Sequence, residues 1–319
     1  MRKKIYHRND ARPALINMSL SAKRLLFICL AQLDRDWSKK DNVIIKFDAS
    51  KSFLIRVSDY AQLCVIDYSA AYRQMVEGVK ELRGYVLEAD QGLLKKRDNN
   101  LPSDAISPFT IATDGTWYSK GNGSVNIKFA KEMEPLISNL TDNFTGQFLL
   151  SAMQLPDSNV GKLYLILREW ISSGYSTTRT IQVNKFKHSL GLSHFKTYHS
   201  YENFNKLFFK RTVKKLIDKT EFTEINMEIL ERRMRKAYKV KVNYKYDLKF
   251  IQSKNKIVDK VLGKKIYKEK YEGKKNKLSE EFLFFVIANR YLNQDEAKSL
   301  NLNWDDGLTA QEVLRKLSC

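Results

Sequence analysis

The chain has 319 residues, is 43% hydrophobic and 12% aromatic, and carries a formal net charge of +20. Its aromatic content excludes global disorder, and its length suits two domains of ~100–200 residues. Its three cysteines, Cys29, Cys64 and Cys319, are too widely spaced for a disulfide framework or a zinc knuckle.

No apolar run approaches the ~18 residues of a membrane span. The N-terminus, "MRKKIYHRND", is basic but lacks a signal peptide's apolar core. The sequence therefore predicts a cytoplasmic protein, with Cys29 and Cys64 as small core residues. The charge is uneven. Residues 1–150 hold 22 Lys and Arg against 17 Asp and Glu, whereas residues 151–319 hold 34 against 19. A polyanionic partner for the second half follows, although charge alone does not separate DNA, RNA and an anionic membrane.

In chain order, "SLSAKRLLFICLAQLDRDW" has apolar residues at helical spacing, with Ser19 or Ser21 as cap. "NVIIKF" reads as a strand. Phe53–Val57 is a second strand, Ser58 caps a short helix ending near Cys64, and "VID" turns the chain. Asp67 then caps a longer helix that Gly84 stops, and a strand follows. Strand, short helix, tight turn, second helix, strand is the winged helix-turn-helix order. In the second helix Tyr72, Met75, Val76, Val79 and Leu82 form the core face, with Ser69, Arg73, Gln74, Glu77 and Lys80 elsewhere. It either reads bases with few phosphate contacts or sits mostly at an interface. Residues 90–116 read as a long loop. "TWYS" and "SVNIKFA" flank the glycine-rich "KGNG" as a hairpin, a candidate wing.

The order then repeats. "NVGKLYLILREWISS" is a helix begun by Ser158 or Asn159, "RTIQV" a strand, and "NKFKHSL" a short helix capped by Asn184 and stopped at Gly191. Ser200 caps "YENFNKLFFKRTVKKLIDK", which holds four large aromatics, five lysines and an arginine but two acids. Strands Phe222–Ile229 and Lys239–Phe250 follow, separated by the basic tip "ERRMRKAY". On a wheel of ~100° per residue, Tyr201, Phe204, Phe208, Phe209, Thr212, Val213 and Leu216 share the apolar half of that helix. Asn203, Lys206, Leu207, Lys210, Arg211, Lys214 and Asp218 fall on the other half. Lysines 206, 210 and 214 repeat every four residues, ~6 Å apart by helix rise, matching phosphates along a major groove. Asn203 suits bidentate adenine reading. Leu207 either meets a thymine methyl or packs on a neighbouring domain. At the hairpin tip, Arg232, Arg233, Arg235 and Lys236 stand where a wing enters a minor groove. The predicted DNA contacts are therefore Asn203, Lys206, Lys210, Arg211, Lys214, Arg232, Arg233 and Lys236, with Ser69, Arg73, Gln74 and Lys80 from the first domain.

Beyond Gln252 a lysine-rich stretch reads as a linker. From Ser279 four Lys and Arg face seven Asp and Glu, and two capped helical patterns suggest a docking tail. The predicted architecture is α+β. Two tandem winged-helix domains, 1–140 and 141–250, are followed by a basic linker, 251–278, and a helical acidic tail, 279–319. Catalytic constellations are missing: there is no GxxxxGK[ST] loop and no histidine pair flanking one hydrophobic residue. His188, His194 and His199 do not share a helix face. The chain reads as a binding protein rather than an enzyme, with no cofactor and no metal.

Several stretches, taken in order, resemble the replication initiators of iteron-containing plasmids, the Rep family, most closely its Pi type and more distantly its RepE type. They are "KIYHRND", "LSAKRLLFICLAQLD", "IRVSDYAQLCVIDYSAAYRQMVEGVKEL", "NFTGQFLLSAMQL", "GKLYLILREW" and "YENFNKLFFKRTVKKLIDKTEF". The resemblance covers about residues 4–250. It implies two tandem winged-helix domains whose monomers bind direct repeats (iterons) at an origin, bend the DNA and help open it. It also implies dimers that repress the initiator's own gene, a first domain that contributes to dimerisation, and a host initiator, helicase or primase as partner. It places Asn203, Lys206, Lys210 and Arg211 on the second recognition helix and Ser69, Arg73 and Gln74 on the first. The family often has a small basic cluster where Leu207 and Phe208 stand here. Two other readings are a dimeric winged-helix repressor without initiator activity and a scaffold whose acidic tail recruits a host protein.

Overall fold

The computed structural model describes residues 4–36, 44–89, 107–119, 121, 123–138, 140 and 143–247. The predicted linker and acidic tail, the N-terminal part of the 90–116 loop, and Cys319 lie outside these residues. Lys4–Lys249 forms one compact unit, with two winged-helix modules packed inside it.

The chain opens with β1 (Lys4–Arg8), α1 (Arg12–Asn17) and α2 (Leu20–Ala31). A short ladder pairs β2 (Asp34–Asp36) with β3 (Ile44–Lys46). Next come β4 (Ser52–Arg56), α3 (Val57–Cys64) and α4 (Tyr68–Gly84). Strand β5 (Val86–Ala89) pairs antiparallel with β6 (Ser107–Thr110). The C-terminal part of the predicted loop is thus an edge strand, whose Pro108 needs no ladder donor. Strands β7 (Trp117–Ser119) and β8 (Ser124–Lys128) form the predicted hairpin, and β4 joins it in the order β4-β8-β7. Helix α5 (Glu134–Ile137) leads to β9 (Phe144–Phe148), α6 (Leu149–Met153) and α7 (Ser158–Ser172). The second module adds β10 (Thr178–Gln182), α8 (Val183–Ser189), the long helix α9 from Tyr201 to Lys219, β11 (Phe222–Arg233) and β12 (Lys236–Tyr246), with sheet order β10-β12-β11.

Local chemistry sets these boundaries. Ser19 Oγ accepts from Ala22 N at 3.2 Å and Asp67 Oδ1 from Ala70 N at 2.8 Å, so both predicted caps form. Ser58 and Asn184 do not cap. Strands β4 and β10 run straight into their helices, and Val57 N–H donates to Gly123 O at 2.8 Å, which satisfies an orphan donor without a side chain. Asp157, rather than Ser158 or Asn159, caps α7, because its carboxylate accepts from Val160 N at 3.0 Å. Glu81 reaches across from α4 to accept Ser19 N–H at 2.8 Å, so it caps α2. Helices α2 and α4 approach closely at Gly78, where an added Cβ would lie 2.9 Å from Leu25 Cδ1. Cys29 and Cys64 are buried in α2 and α3.

The modules are fastened by elements outside the helix-turn-helix order. Strand β1 pairs antiparallel with β9, with Ile5 opposite Gln147 and His7 opposite Thr145. Arg12 Nη1 lies 2.6 Å from Glu169 Oε1, and Arg24 Nη2 donates to Leu155 O at 2.8 Å. Gly191, at φ 64°, admits α1 so closely that a Cβ there would lie 2.7 Å from Ile16 Cγ2. Beneath this seam Glu221, with 0% exposure, faces Arg168 at 3.3 Å and accepts from Ser151 Oγ at 2.7 Å and Tyr164 Oη at 3.2 Å. Arg168 Nε donates to Gly146 O at 2.9 Å, and its guanidinium stacks on Phe148. Removing one partner of a buried ion pair strands the other charge and costs ~3–5 kcal/mol. Glu221→Ala is therefore expected to lower unfolding free energy by about that amount, read from the urea midpoint at unchanged slope. A loss under ~1 kcal/mol, the range of exposed pairs, would show that the pair is not structural.

His7 is buried, with Nδ1 3.0 Å from Arg8 O and Nε2 2.8 Å from Gln147 Nε2. The Gln147 amide donates, so His7 Nε2 accepts and Nδ1–H donates. Burial pushes the His7 pKa from 6.5 down to about 4. The unfolded chain then takes up this proton first, so the contribution is complete above pH ~6.5 and is lost as pH falls toward 4. Wild type is expected to lose ~2–3 kcal/mol more than His7→Gln between pH 7 and 4.5, read by chemical denaturation. Equal losses in both proteins would refute a buried neutral imidazole.

Candidate nucleic-acid interface

Helix α9 begins at Ser200, whose Oγ accepts from Asn203 N at 3.1 Å, as predicted. It is not a uniform α-helix. Tyr201–Asn203 is α-helical, Phe204–Phe209 is π-helical, and Lys210–Lys219 is α-helical again. Within the wide turn Lys210 N bonds Asn205 O, five residues back. Packing gives the reason. At ~100° per residue Phe204 and Phe209 would diverge by about 140°, yet both are buried against one ring, Phe186 of α8, at 5.7 and 6.4 Å. An i→i+5 turn brings Phe209 back beneath Phe204. Phe208 stacks on Phe204 at 5.7 Å and meets Tyr198 edge-on at 5.8 Å. Thr212 and Leu216 complete the buried face, while Val213 and Tyr201 are half-buried.

The same turn corrects the predicted lysine ridge. Across the wide turn Lys206, Lys210 and Arg211 no longer keep α-helical spacing, which resumes from Lys210 toward Lys214. It also answers the position of Leu207. Thr212, five residues on, is buried, and Leu207 is itself half-buried rather than projecting among the cations. Asn203, Lys206, Lys210, Arg211 and Lys214 are all exposed. Among the described residues these four cations form no ion pair. The helix's other lysines are neutralised, Lys215 by Asp157 at 2.7 Å and Lys219 by Asp218 at 2.9 Å.

The hairpin after α9 shows the same sorting. Its strands extend further into the basic tip than predicted, with Arg233 opposite Lys236, so only Met234 and Arg235 form the loop. Val240, Val242 and Tyr244 face the core. On the outer face the register sets Lys245 against Glu224 at 2.7 Å, Lys241 against Glu228 at 3.6 Å, and Lys239 against Glu231 at 3.5 Å. Hydrogen bonds from Lys245 draw Glu224 below the usual carboxylate range, and those from Arg233 do the same for Glu231. Of the predicted wing residues, Arg233 is engaged twice, with Glu231 at 2.7 Å and stacked 3.5 Å over the Tyr238 ring. Arg232 and Lys236 are exposed and carry no ion pair among the described residues, as is Arg235. Burial raises the Tyr201 hydroxyl pKa, and the positive charge of Arg232 opposes that rise.

In the first module, Ser69, Arg73 and Lys80 are exposed on one side of α4. Gln74 departs from them. It lies about 140° around the helix from Ser69, is half-buried, and uses Oε1 to accept from Arg24 at 2.8 Å and Tyr60 at 3.1 Å. It props the buried side rather than extending the exposed one. Met75, Val79 and Leu82 form the core face with Ala71 and Gly78, whereas Tyr72 and Val76 are half-buried. Lys80 lines an open groove of about 850 Å³ with Arg83, Trp117 and Tyr118. Among the described residues no three His, Cys, Asp or Glu side chains converge as metal ligands, and no helix is long and apolar enough to cross a membrane.

This arrangement has counterparts. The chain is 29% identical over 262 residues to the PI protein of Escherichia coli, covering 76% of this chain and 83% of that one. An uncharacterized 27.6 kDa protein of Escherichia coli is 25% identical over 183 residues, 57% of this chain and 72% of the other. Among solved structures, a Pi initiator protein in complex with iteron DNA superposes with a TM-score of 0.66 at 26% identity, over 77% of this chain and 98% of that one. Residues 4–168 match the model of the initiator replication protein family described by its first winged-helix domain. With that match running over half the chain, from β1 into α7, the chain belongs to the initiator replication protein family.

Proposed function

We propose that the protein is a plasmid replication initiator that binds repeated double-stranded sites at an origin through both winged-helix modules, without enzymatic chemistry. The observation that carries this reading is the sorting of charge in the second module. Acids neutralise the cations along the hairpin's outer face, while Lys206, Lys210, Arg211, Lys214, Arg232, Arg235 and Lys236 are left exposed and without ion pairs among the described residues. A merely solvated surface has no need of that division. Helix α9 lies in a major groove with Asn203 toward the bases, and the hairpin tip follows the adjoining minor groove. Helix α4 offers Ser69 and Arg73 to a major groove about one turn away. The likeness to a Pi protein bound to iteron DNA supports direct repeats as the target. Autorepression as a dimer, recruitment of a host initiator, helicase or primase, and a cytoplasmic site of action belong to the same reading, with modules 1–140 and 141–250 followed by a linker and a docking tail. Replication of a plasmid carrying only the cognate origin, with this protein supplied in trans, tests it. Binding and repression without replication would leave only a repressor.

Six to ten phosphate contacts make affinity fall ~10³–10⁵-fold between 50 and 200 mM salt. Titrations of a selected duplex are expected to show that slope, and salt-independent binding would contradict the interface. Lys210→Ala with Lys214→Ala should weaken all duplexes alike and flatten the slope by about two. Asn203→Ala should instead relax preference at one base pair, by ~1–3 kcal/mol. Uniform weakening by all three substitutions would refute the assigned roles.

A further inference from the structure

The tip of the second module's hairpin is built against local preference. Met234 and Arg235 both have positive φ, 46° and 64°, in a two-residue loop closed by the Arg233–Lys236 pair. Such a loop ordinarily takes Asn-Gly or Asp-Gly, because a side chain with a Cβ is strained there. Met234 gives nothing back to the hairpin: it is 95% exposed, the most exposed large apolar side chain among the described residues. No other large apolar residue occurs between Glu231 and Ala237, so the tip is not an apolar patch suited to a protein partner. Its neighbours are instead cations. Arg232, Arg235 and Lys236 are exposed and without ion pairs among the described residues.

The hairpin is also stiff almost to its end. Tyr238 accepts from Gln182 Nε2 at 2.6 Å and carries the Arg233 guanidinium on its ring. Glu231 holds both Arg233 and Lys239, and Arg232 Nη1 donates to Arg235 O at 3.3 Å. A rigid rod with a cationic collar and one long, unbranched, polarisable side chain at its point fits a negatively charged groove with an apolar interior. Methionine is among the side chains that wedge between base steps from the minor groove and kink the duplex.

Resting on the reading above, we propose that Met234 inserts from the minor groove between two stacked base pairs of the bound duplex, held there by Arg232, Arg235 and Lys236. Strain at the loop is then the cost of presenting an apolar wedge where a turn residue would fold better.

The test uses the full chain and a duplex that the chain itself recovers from a randomised pool, with 2-aminopurine placed at successive adenines. Wild type is expected to raise fluorescence several-fold at one step and to bend the duplex in circular-permutation gels. Met234→Asn, which suits the loop better, should return that step to the free-duplex signal and reduce the bend, with affinity changed less than about tenfold. Met234→Leu should keep both signals. Wild-type fluorescence in Met234→Asn, equal loss in Met234→Leu, or no unstacked step with wild type would overturn the wedge while leaving the function reading intact. A wild-type chain that recovers no sequence from the pool would overturn that reading and the wedge with it.

Discussion

Glu221 is the second residue after α9 ends, and its carboxylate is sealed from solvent against Arg168, Ser151 and Tyr164. The rest of the second module hangs from this cluster. Arg168 ties α7 to the backbone of β9, Tyr164 Oη sits 3.3 Å from Phe148 N, and Asp247 N returns to Glu221 O at 2.8 Å at the far end of the hairpin. The buried carboxylate pins the chain between the end of α9 and the start of the hairpin, and the same residue's backbone carbonyl receives the hairpin's far end. Burial of Tyr164, reinforced by the neighbouring Glu221 charge, holds its hydroxyl pKa well above the usual value, so it stays protonated and donates. A buried charge is a poor source of net stability, but an expensive one to misplace, and that gives α9 a single seat.

From that seat the module resolves a conflict between packing and recognition. Three phenylalanines must be buried in six residues of a helix that also carries cations outward. The wide turn at Phe204–Phe209 lets Phe204 and Phe209 share Phe186 and shifts the cations around the axis. On the hairpin, strand register decides which positive charges are quenched by Glu224, Glu228 and Glu231 and which remain for a partner. The surface is thus strongly basic in the sequence and selectively basic in the fold.

Much of this is legible in residue order. Helical apolar spacing, Ser19, Asp67 and Ser200 as caps, and period-two alternation at Val240, Val242 and Tyr244 mark both modules, because each signal acts within a few residues of itself. Ser58 and Asn184 are weaker guides because β4 and β10 run straight into their helices, and Ser158 because the Asp157 carboxylate takes the cap of α7. Gln74 looks like a surface residue by type, and its use by Arg24 and Tyr60 depends on residues distant in sequence. Strand β1 carries alternation too short to announce a partner, and β9 lies more than 130 residues away.

The sequence by itself determined the winged-helix order, the amphipathic character of α9 and the concentration of positive charge in the second half, since these depend on period, caps and composition. Only the tertiary structure decided the π-turn, the seating of Leu207, which lysines keep a free charge, and the strained exposure of Met234. Each of those is set by what stands opposite a residue rather than beside it: Phe186 under the helix, Glu224, Glu228 and Glu231 across the hairpin, and Glu221 behind both.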